Sequence, residues 1–187
     1  MTATATTLAG LTTGTWTIDS SHTEVGFVVR HMMVSKVKGR FSKVEGTITV
    51  AENVLESSVQ ATVAAASIDT RDDNRDNHLR SADFFDAETY PELTFASTGI
   101  RADGDDFLLD GDLTIKGVTR PVTFELEYNG AAGNPMAGGN PTAGFSAETE
   151  ISRKDFGLEW NVALETGGVL VGDKVKLVLE VEAGKSA

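Results

Sequence analysis

The sequence predicts a mainly β domain of about eight antiparallel strands, closed as a barrel or stacked as a sandwich, with one short helical insert. Three observations predict it. Apolar residues alternate with polar ones along most of the chain, the pattern of half-buried antiparallel strands. Gly, Asn and Asp clusters punctuate the alternation at Asn53, at "ADGDD" (102–106), at Gly117 and at "NGAAGNPMAGGNPTAG" (129–144). One charged stretch, "IDTRDDNRDNHLRSADFFD" (68–86), breaks the period of two.

The strands follow in order. "EVGFVVRHM" puts Val25, Phe27 and Val29 on one face, and the same parity continues to His31 and Met33. "GRFSKVEGTITV" brings Phe41, and "SVQATVAAAS" aligns Val59, Ala61, Val63 and Ala65. "ELTFASTGI" gives Leu93 and Phe95, and "DFLLDGDLTI" gives Phe107, Leu109, Leu113 and Ile115. "PVTFELEY" gives Val122, Phe124, Leu126 and Tyr128, and "GFSAETEIS" gives Phe145, Ala147 and Ile151. "KVKLVLEVE" closes the series with Val175, Leu177, Leu179 and Val181. The 129–144 stretch reads as a long mobile hairpin loop, and residues 1–14 as a flexible Thr/Ala tail before one domain over 15–183.

The charged stretch looks at first like a calcium loop, with Asp72, Asn74 and Asp76 alternating. It fails where Gly is required (Asn77), where Arg80 brings positive charge, and where Asp83 replaces the bidentate Glu. A short helix fits better, capped by Thr70 or Asp69, with Asp72 and Asp73 in its first turn. Arg75 and Leu79 share a face, and Asp76 and Arg80 form an i,i+4 pair. Ser81 and Asp83 start a second turn, Phe84 and Phe85 bury, and Pro91 ends the segment.

Composition argues against several function classes. With 16 basic and 28 acidic residues the net charge is −12, which repels nucleic-acid backbones and anionic membrane surfaces. There is no cysteine, so no disulfide framework or thiol chemistry. No apolar run is long enough for a membrane span or a secretory leader, so no membrane insertion is expected and a cytoplasmic location is. Of the three histidines, His22 in "DSSHTE" reads as a turn residue and His78 as a surface residue of the short helix. His31 faces the interior by parity, as a satisfied core residue or a polar contact for a ligand. Their contexts lack zinc-ligand spacing, so neither metal nor cofactor is expected. Arg153 extends the parity of Phe145, Ala147 and Ile151; its default reading is a surface residue with its charged head in water, and if inward it offers a charge-assisted bond to an anionic head group.

Small residues on apolar parities, among them Ala61, Ala65, Ser97, Gly99, Gly111 and Ala147, leave two readings open. Either they keep a ligand cavity open, or they make room for bulky neighbours such as Phe27, Phe95 and Phe124.

Four blocks carry a resemblance: "WTIDSSHTEVGFVVRHMMVSKVKGRF", "SIDTRDDNRDNHLRSADFFDAETYPELTF", "GDLTIKGVTRPVTFEL" and "GFSAETEISRKDFGL". In this order, from Trp16 to about Glu182, they resemble the YceI-like family of lipid-binding, lipocalin-like proteins. The resemblance implies an eight-stranded antiparallel lipocalin-like barrel with helices across it. It also implies an apolar tunnel for a polyisoprenoid or other long-chain lipid, and a homodimer. Many such relatives are periplasmic, and this chain shows no leader. The expected ligand contacts are the inward row from Phe27 to Met33, Phe41, the row from Val59 to Ala65, Phe84 and Phe85. Phe95, Leu113, Phe124, Phe145 and Arg153 complete the set. A carrier, storage or sequestering protein is the favoured function. The alternative is a tunnel enzyme, a cyclase or isomerase of a hydrophobic substrate, with His31 as acid/base.

Overall fold

The computed structural model describes residues 6–186. Eleven strand segments are formed: β1 Gly14–Ile18, β2 Glu24–His31, β3 Ser35–Phe41, β4 Val44–Val50, β5 Ser58–Ala64, β6 Ile68–Asp69, β7 Glu92–Asp103, β8 Asp106–Ile115, β9 Val118–Gly133, β10 Pro141–Ser152 and β11 Val171–Lys185. One α-helix, α1, spans Asp73–Arg80.

The segments reduce to an eight-stranded closed barrel. β1 and β2 are one long strand broken by the turn Ser20–His22, and β3 and β4 are its hairpin partner: β2 pairs with β3, and β1 with β4. From β4 the pairing runs through β5, β7, β8, β9 and β10 to β11, always antiparallel. β11 closes the barrel on both β1 and β2, so no sandwich forms.

Several hairpin turns use left-handed backbone. Ile115 faces Val118 across Lys116 (φ 51) and Gly117 (φ 74), and Asp103 faces Asp106 across a turn holding Gly104 (φ 61). The β2–β3 turn is less expected: Met32 (φ 52) and Met33 (φ 63) both sit in the left-handed region, closed by Val34 N donating to His31 O at 3.2 Å. That conformation costs a non-glycine residue about 1–2 kcal/mol.

Three local expectations are corrected. The 129–144 segment is mostly strand: β9 runs to Gly133, β10 starts at Pro141, and only 134–140 turn, with Asn134 capping the short turn Pro135–Ala137. The described part of the N-terminal tail is docked. Thr6 O accepts from Val54 N (2.8 Å), Tyr128 Oη donates to Ala9 O (2.7 Å) and Trp16 Nε1 to Thr12 O (2.9 Å). Residues 1–5 lie outside the described residues. The cap of α1 is Asp72, whose carboxylate accepts from Arg75 N, and not Thr70 or Asp69.

The expected Asp76–Arg80 pair does not form either. Asp76 is buried and accepts from both the backbone N–H and the hydroxyl of Thr70, stapling α1 to β6. Arg80 donates instead to the carbonyls of Ala66 and Ile68. The second turn forms as expected, with Asp83 N on Ser81 Oγ and Phe84 N on Ser81 O. β6 pairs with β3 only at Arg40 and Phe41, so the insert covers the rest of that seam with Phe84 buried and Phe85 half-buried beneath it.

Candidate functional site

The inward faces of the strands enclose one continuous cavity of ≈ 260 Å³. Its wall comes from every long strand: Val25, Phe27 and Val29 of β2; Val59, Ala61 and Val63 of β5; Leu93 and Phe95 of β7; Leu109 and Leu113 of β8; Phe124 and Leu126 of β9; Phe145, Ala147 and Ile151 of β10; Val175, Leu177, Leu179 and Val181 of β11. The surface presented to the cavity is apolar throughout. Among the lining residues only Thr23, Ser57, Thr94, Tyr128 and Arg153 carry polar side-chain atoms, and none turns them to the lumen.

Each end is closed by a different segment. At the β1 end Leu8 and Leu11 of the docked tail meet Val50 and Val54. Tyr128 holds the tail there by its bond to Ala9, and burial pushes its phenol above the ordinary value of 10.0. At the opposite end Leu79, Phe84 and Phe85 of the insert meet Phe156 and Leu158. Two lining pairs pack edge-on, Phe41 with Phe85 at 5.6 Å and Phe95 with Phe124 at 5.5 Å between centroids, while Phe27 and Phe41 are tilted by 50°.

Arg153 borders this second end, 4% exposed. It is buried and not at the surface, but its guanidinium is turned to backbone carbonyls and Asp173, not to the lumen, and is not available to a ligand head group. Nε donates to Gly172 O (2.9 Å), Nη1 to Leu158 O and Trp160 O (3.0 Å), and Nη2 to Val171 O (3.3 Å) and Asp173 Oδ1 (3.5 Å). A guanidinium has five N–H donors, and all are used. Burial pushes its pKa below the usual range, against the pull of Asp173.

Of the other residues expected at the lumen, Phe27, Val29, Phe41, Val59, Ala61, Val63, Phe84, Phe85, Phe95, Leu113, Phe124 and Phe145 line it. Three do not. His31 lies on β2 beyond Val29, paired with Ser35 and Val171 at the strand end. Met33 is in the exposed turn after it. Ala65 falls in the turn Ala65–Ser67 after β5, fully buried in the wall with its N–H on Pro91 O (2.9 Å). The sequence reading also missed, as lumen contacts, the whole β11 row, Leu8 and Leu11 at one end, and Leu79, Phe156 and Leu158 at the other. The β11 row showed in its alternation, whereas Leu8, Leu11, Phe156 and Leu158 lie outside any alternating run.

The glycine question resolves both ways. A Cβ on Gly39 would lie 2.2 Å from the ring of Phe27, and one on Gly111 would lie 2.3 Å from the ring of Phe95. These glycines seat bulky neighbours, while Ala61 and Ala147 border open space.

The polar clusters lie away from the lumen. Asp19, His22 and Glu182 bring their ligand atoms within 4.8 Å of one another on the surface. Asp19 Oδ1 accepts from Ser21 N (2.9 Å) and Ser21 Oγ (2.6 Å), and Oδ2 meets His22 Nδ1 at 2.9 Å. The bond from Ser21, then that from His22, holds Asp19 down at about 2. Asp19 and then Glu182 push His22 up. With Asp19 N on Glu182 O (2.8 Å), the cluster fastens the β1–β2 corner to β11. His78 Nε2 meets Asp83 at 2.8 Å, and its ring stands edge-on to Trp160 at 4.6 Å.

The model of the YceI-like domain matches residues 16–183. The chain belongs to the YceI-like family. A UPF0312 protein of Staphylococcus epidermidis is 42% identical over 165 residues, covering 88% of this chain and 94% of the relative. The crystal structure of Burkholderia cenocepacia BcnA is similar at TM-score 0.74 and 26% identity, over 88% of this chain and 98% of that one. A domain from Saccharophagus degradans, described as polyisoprenoid binding, shares the fold at TM-score 0.68 and 17% identity, over 91% of this chain and 98% of that one. The barrel is thus the architecture of YceI-type proteins, and the 16–183 match covers all eight of its strands.

Proposed function

We propose that this YceI-like protein holds a polyisoprenoid or other long-chain amphiphile in the lumen, as a carrier, storage or sequestering protein. The observation that carries the reading is a continuous cavity with a wholly apolar wall. Water gains no hydrogen bonds there, whereas a hydrocarbon chain gains about 25 cal/mol for each Å² it buries. The lining on β11 runs from Val171 to Val181. At a strand rise of about 3.3 Å and a tilt near 40° this is on the order of 25 Å along the axis. That length approaches the roughly 30 Å of a bilayer's hydrocarbon core, which suits a long chain. The similarity of fold to the Saccharophagus domain described as polyisoprenoid binding supports the same ligand class. A tunnel enzyme with His31 as acid/base finds no support, because His31 does not border the cavity. The reading includes a homodimer in the cytoplasm, testable by light scattering and fractionation.

Mass spectrometry of an organic extract of the purified protein tests the reading directly. Ala61→Phe with Ala147→Phe, both bordering open space, fills the room the chain needs. The expected outcome is a folded protein of near-parental melting temperature without lipid. A lipid-free parent, together with a double variant strongly destabilised by overpacking, sinks the reading and leaves a filled barrel.

A further inference from the structure

The β2–β3 hairpin carries a charge that the rest of the molecule does not. The chain is −12 overall, yet residues 25–44, "VGFVVRHMMVSKVKGRFSKV", hold five basic residues and no carboxylate. Strand parity sends Arg30, Lys36, Lys38 and Arg40 outward, opposite the lumen-facing Phe27, Val29 and Phe41. The register sets Arg30 directly against Lys36, an arrangement that like charges disfavour. Arg40 has Asp69 at 3.6 Å; among the described residues, Arg30, Lys36 and Lys38 make no ion pair.

The tip of the same hairpin is apolar and exposed. Met32, Met33 and Val34 are 44%, 52% and 81% exposed, with Val162 beside them at 47%. The loop carrying Val162 is tied to the tip by Met32 N donating to Leu170 O at 2.8 Å. Both methionines hold left-handed backbone, which such a turn ordinarily fills with Asn and Gly. Strained backbone, unpaired like charges and exposed large apolar side chains coincide on one hairpin, and none of them serves the fold. Such costs persist where function requires them.

We propose that this hairpin is a docking surface for an anionic lipid bilayer. Met32, Met33 and Val34 enter the interface, and Arg30, Lys36 and Lys38 lie against the lipid phosphates. The overall negative charge does not forbid it, because screening at physiological salt confines interactions to about 8 Å. The neighbouring loop carries two exposed carboxylates, Glu159 and Glu165, so the attraction comes from the strand row. A second copy is a poor occupant, since a two-fold contact would oppose the basic row to itself. The proposal goes beyond the lumen reading and stands without it.

Vesicle co-sedimentation of the full chain tests it, with equimolar phosphatidylglycerol/phosphatidylcholine vesicles against pure phosphatidylcholine. Binding is expected to the anionic vesicles only, weakening as salt rises. Lys36→Gln with Lys38→Gln is expected to weaken it about thirtyfold, from about 1 kcal/mol per lysine at the surface. Met32→Asn with Met33→Gly restores the favoured turn, so the melting temperature should hold or rise while vesicle binding falls. Absence of parental binding to anionic vesicles overturns the proposal. Unchanged binding by the Met32/Met33 variant also overturns it, because attraction to any polyanion, nucleic acid included, then suffices. A lower oligomeric mass in that variant, with vesicle binding intact, assigns the tip to contacts between copies instead.

Discussion

Arg153→Ala removes the one cation buried at the lumen's second end. The carbonyls of Leu158, Trp160, Val171 and Gly172 then lose their charged donor. Stranding a buried polar group costs about 1–3 kcal/mol, so losing two or three of these bonds together costs about 3–5 kcal/mol. In a domain of this size each kcal/mol lowers Tm by about 2–4 °C, so calorimetry should record a fall of about 6–20 °C. The loss should be local as well. The guanidinium gathers both flanks of the segment between β10 and β11, so limited proteolysis should begin within 158–170. Arg153→Lys separates charge from geometry. An ammonium keeps the charge but has three donors and no planar fork, so most of the loss should remain. A Tm within about 2 °C of the parent for the alanine variant, or full rescue by lysine, would refute the clamp.

Three further outcomes are expected. Asp76→Ala should cost about 1–3 kcal/mol in urea unfolding by stranding the Thr70 donors, whereas Asp76→Asn, which keeps an acceptor oxygen, should cost much less. Gly111→Ala puts a Cβ 2.3 Å from the Phe95 ring and 2.8 Å from Ala96 O, and should destabilise by about 1–3 kcal/mol; an unchanged denaturation midpoint would mean the ring swings freely into the lumen. The depressed Asp19 carboxyl stabilises above its ordinary 3.8, a contribution lost as pH falls through about 2. The raised His22 contributes below 6.5, and that contribution is lost as pH climbs through its raised value. Asp19→Asn should therefore flatten the acid limb of a Tm–pH profile and lower the His22 titration midpoint seen by NMR.

The strands were legible because a period of two leaves one face apolar whatever the partner. The long seams β8–β9 and β10–β11 match alternating runs residue by residue, whereas β7–β8 shifts register at a bulge between Ser97 and Gly99. Other features needed the fold. Asp69, Thr70 and Asp72 are all competent caps, and local sequence does not rank them; Thr70 was taken by the buried Asp76 instead. The tail reads as a polar Thr/Ala stretch, yet Leu8 and Leu11 suffice to dock it once a barrel end is present. His31 shows the limit of parity. It continues the inward face of β2, but parity assigns a face and not a depth, and at residue 31 the strand has already passed the lumen.

Side-chain size had the same limit, and the reason explains why the lumen stays open despite so many aromatics. Whether a small residue borders space or a neighbour depends on cross-strand register. Phe27 lies opposite Gly39, and the Phe95 ring lies over Gly111 beside its own partner Leu113. The far end of each ring settles on the bare backbone of a glycine. A ring end seated in the space a side chain would fill leaves that much more of the lumen open. The glycines therefore enlarge the cavity by seating the phenylalanines, and Ala61 and Ala147 enlarge it directly. Both sequence readings of the small residues describe one device. A substitution at Gly39 or Gly111 should act on the lumen through the ring it displaces, without itself touching the ligand.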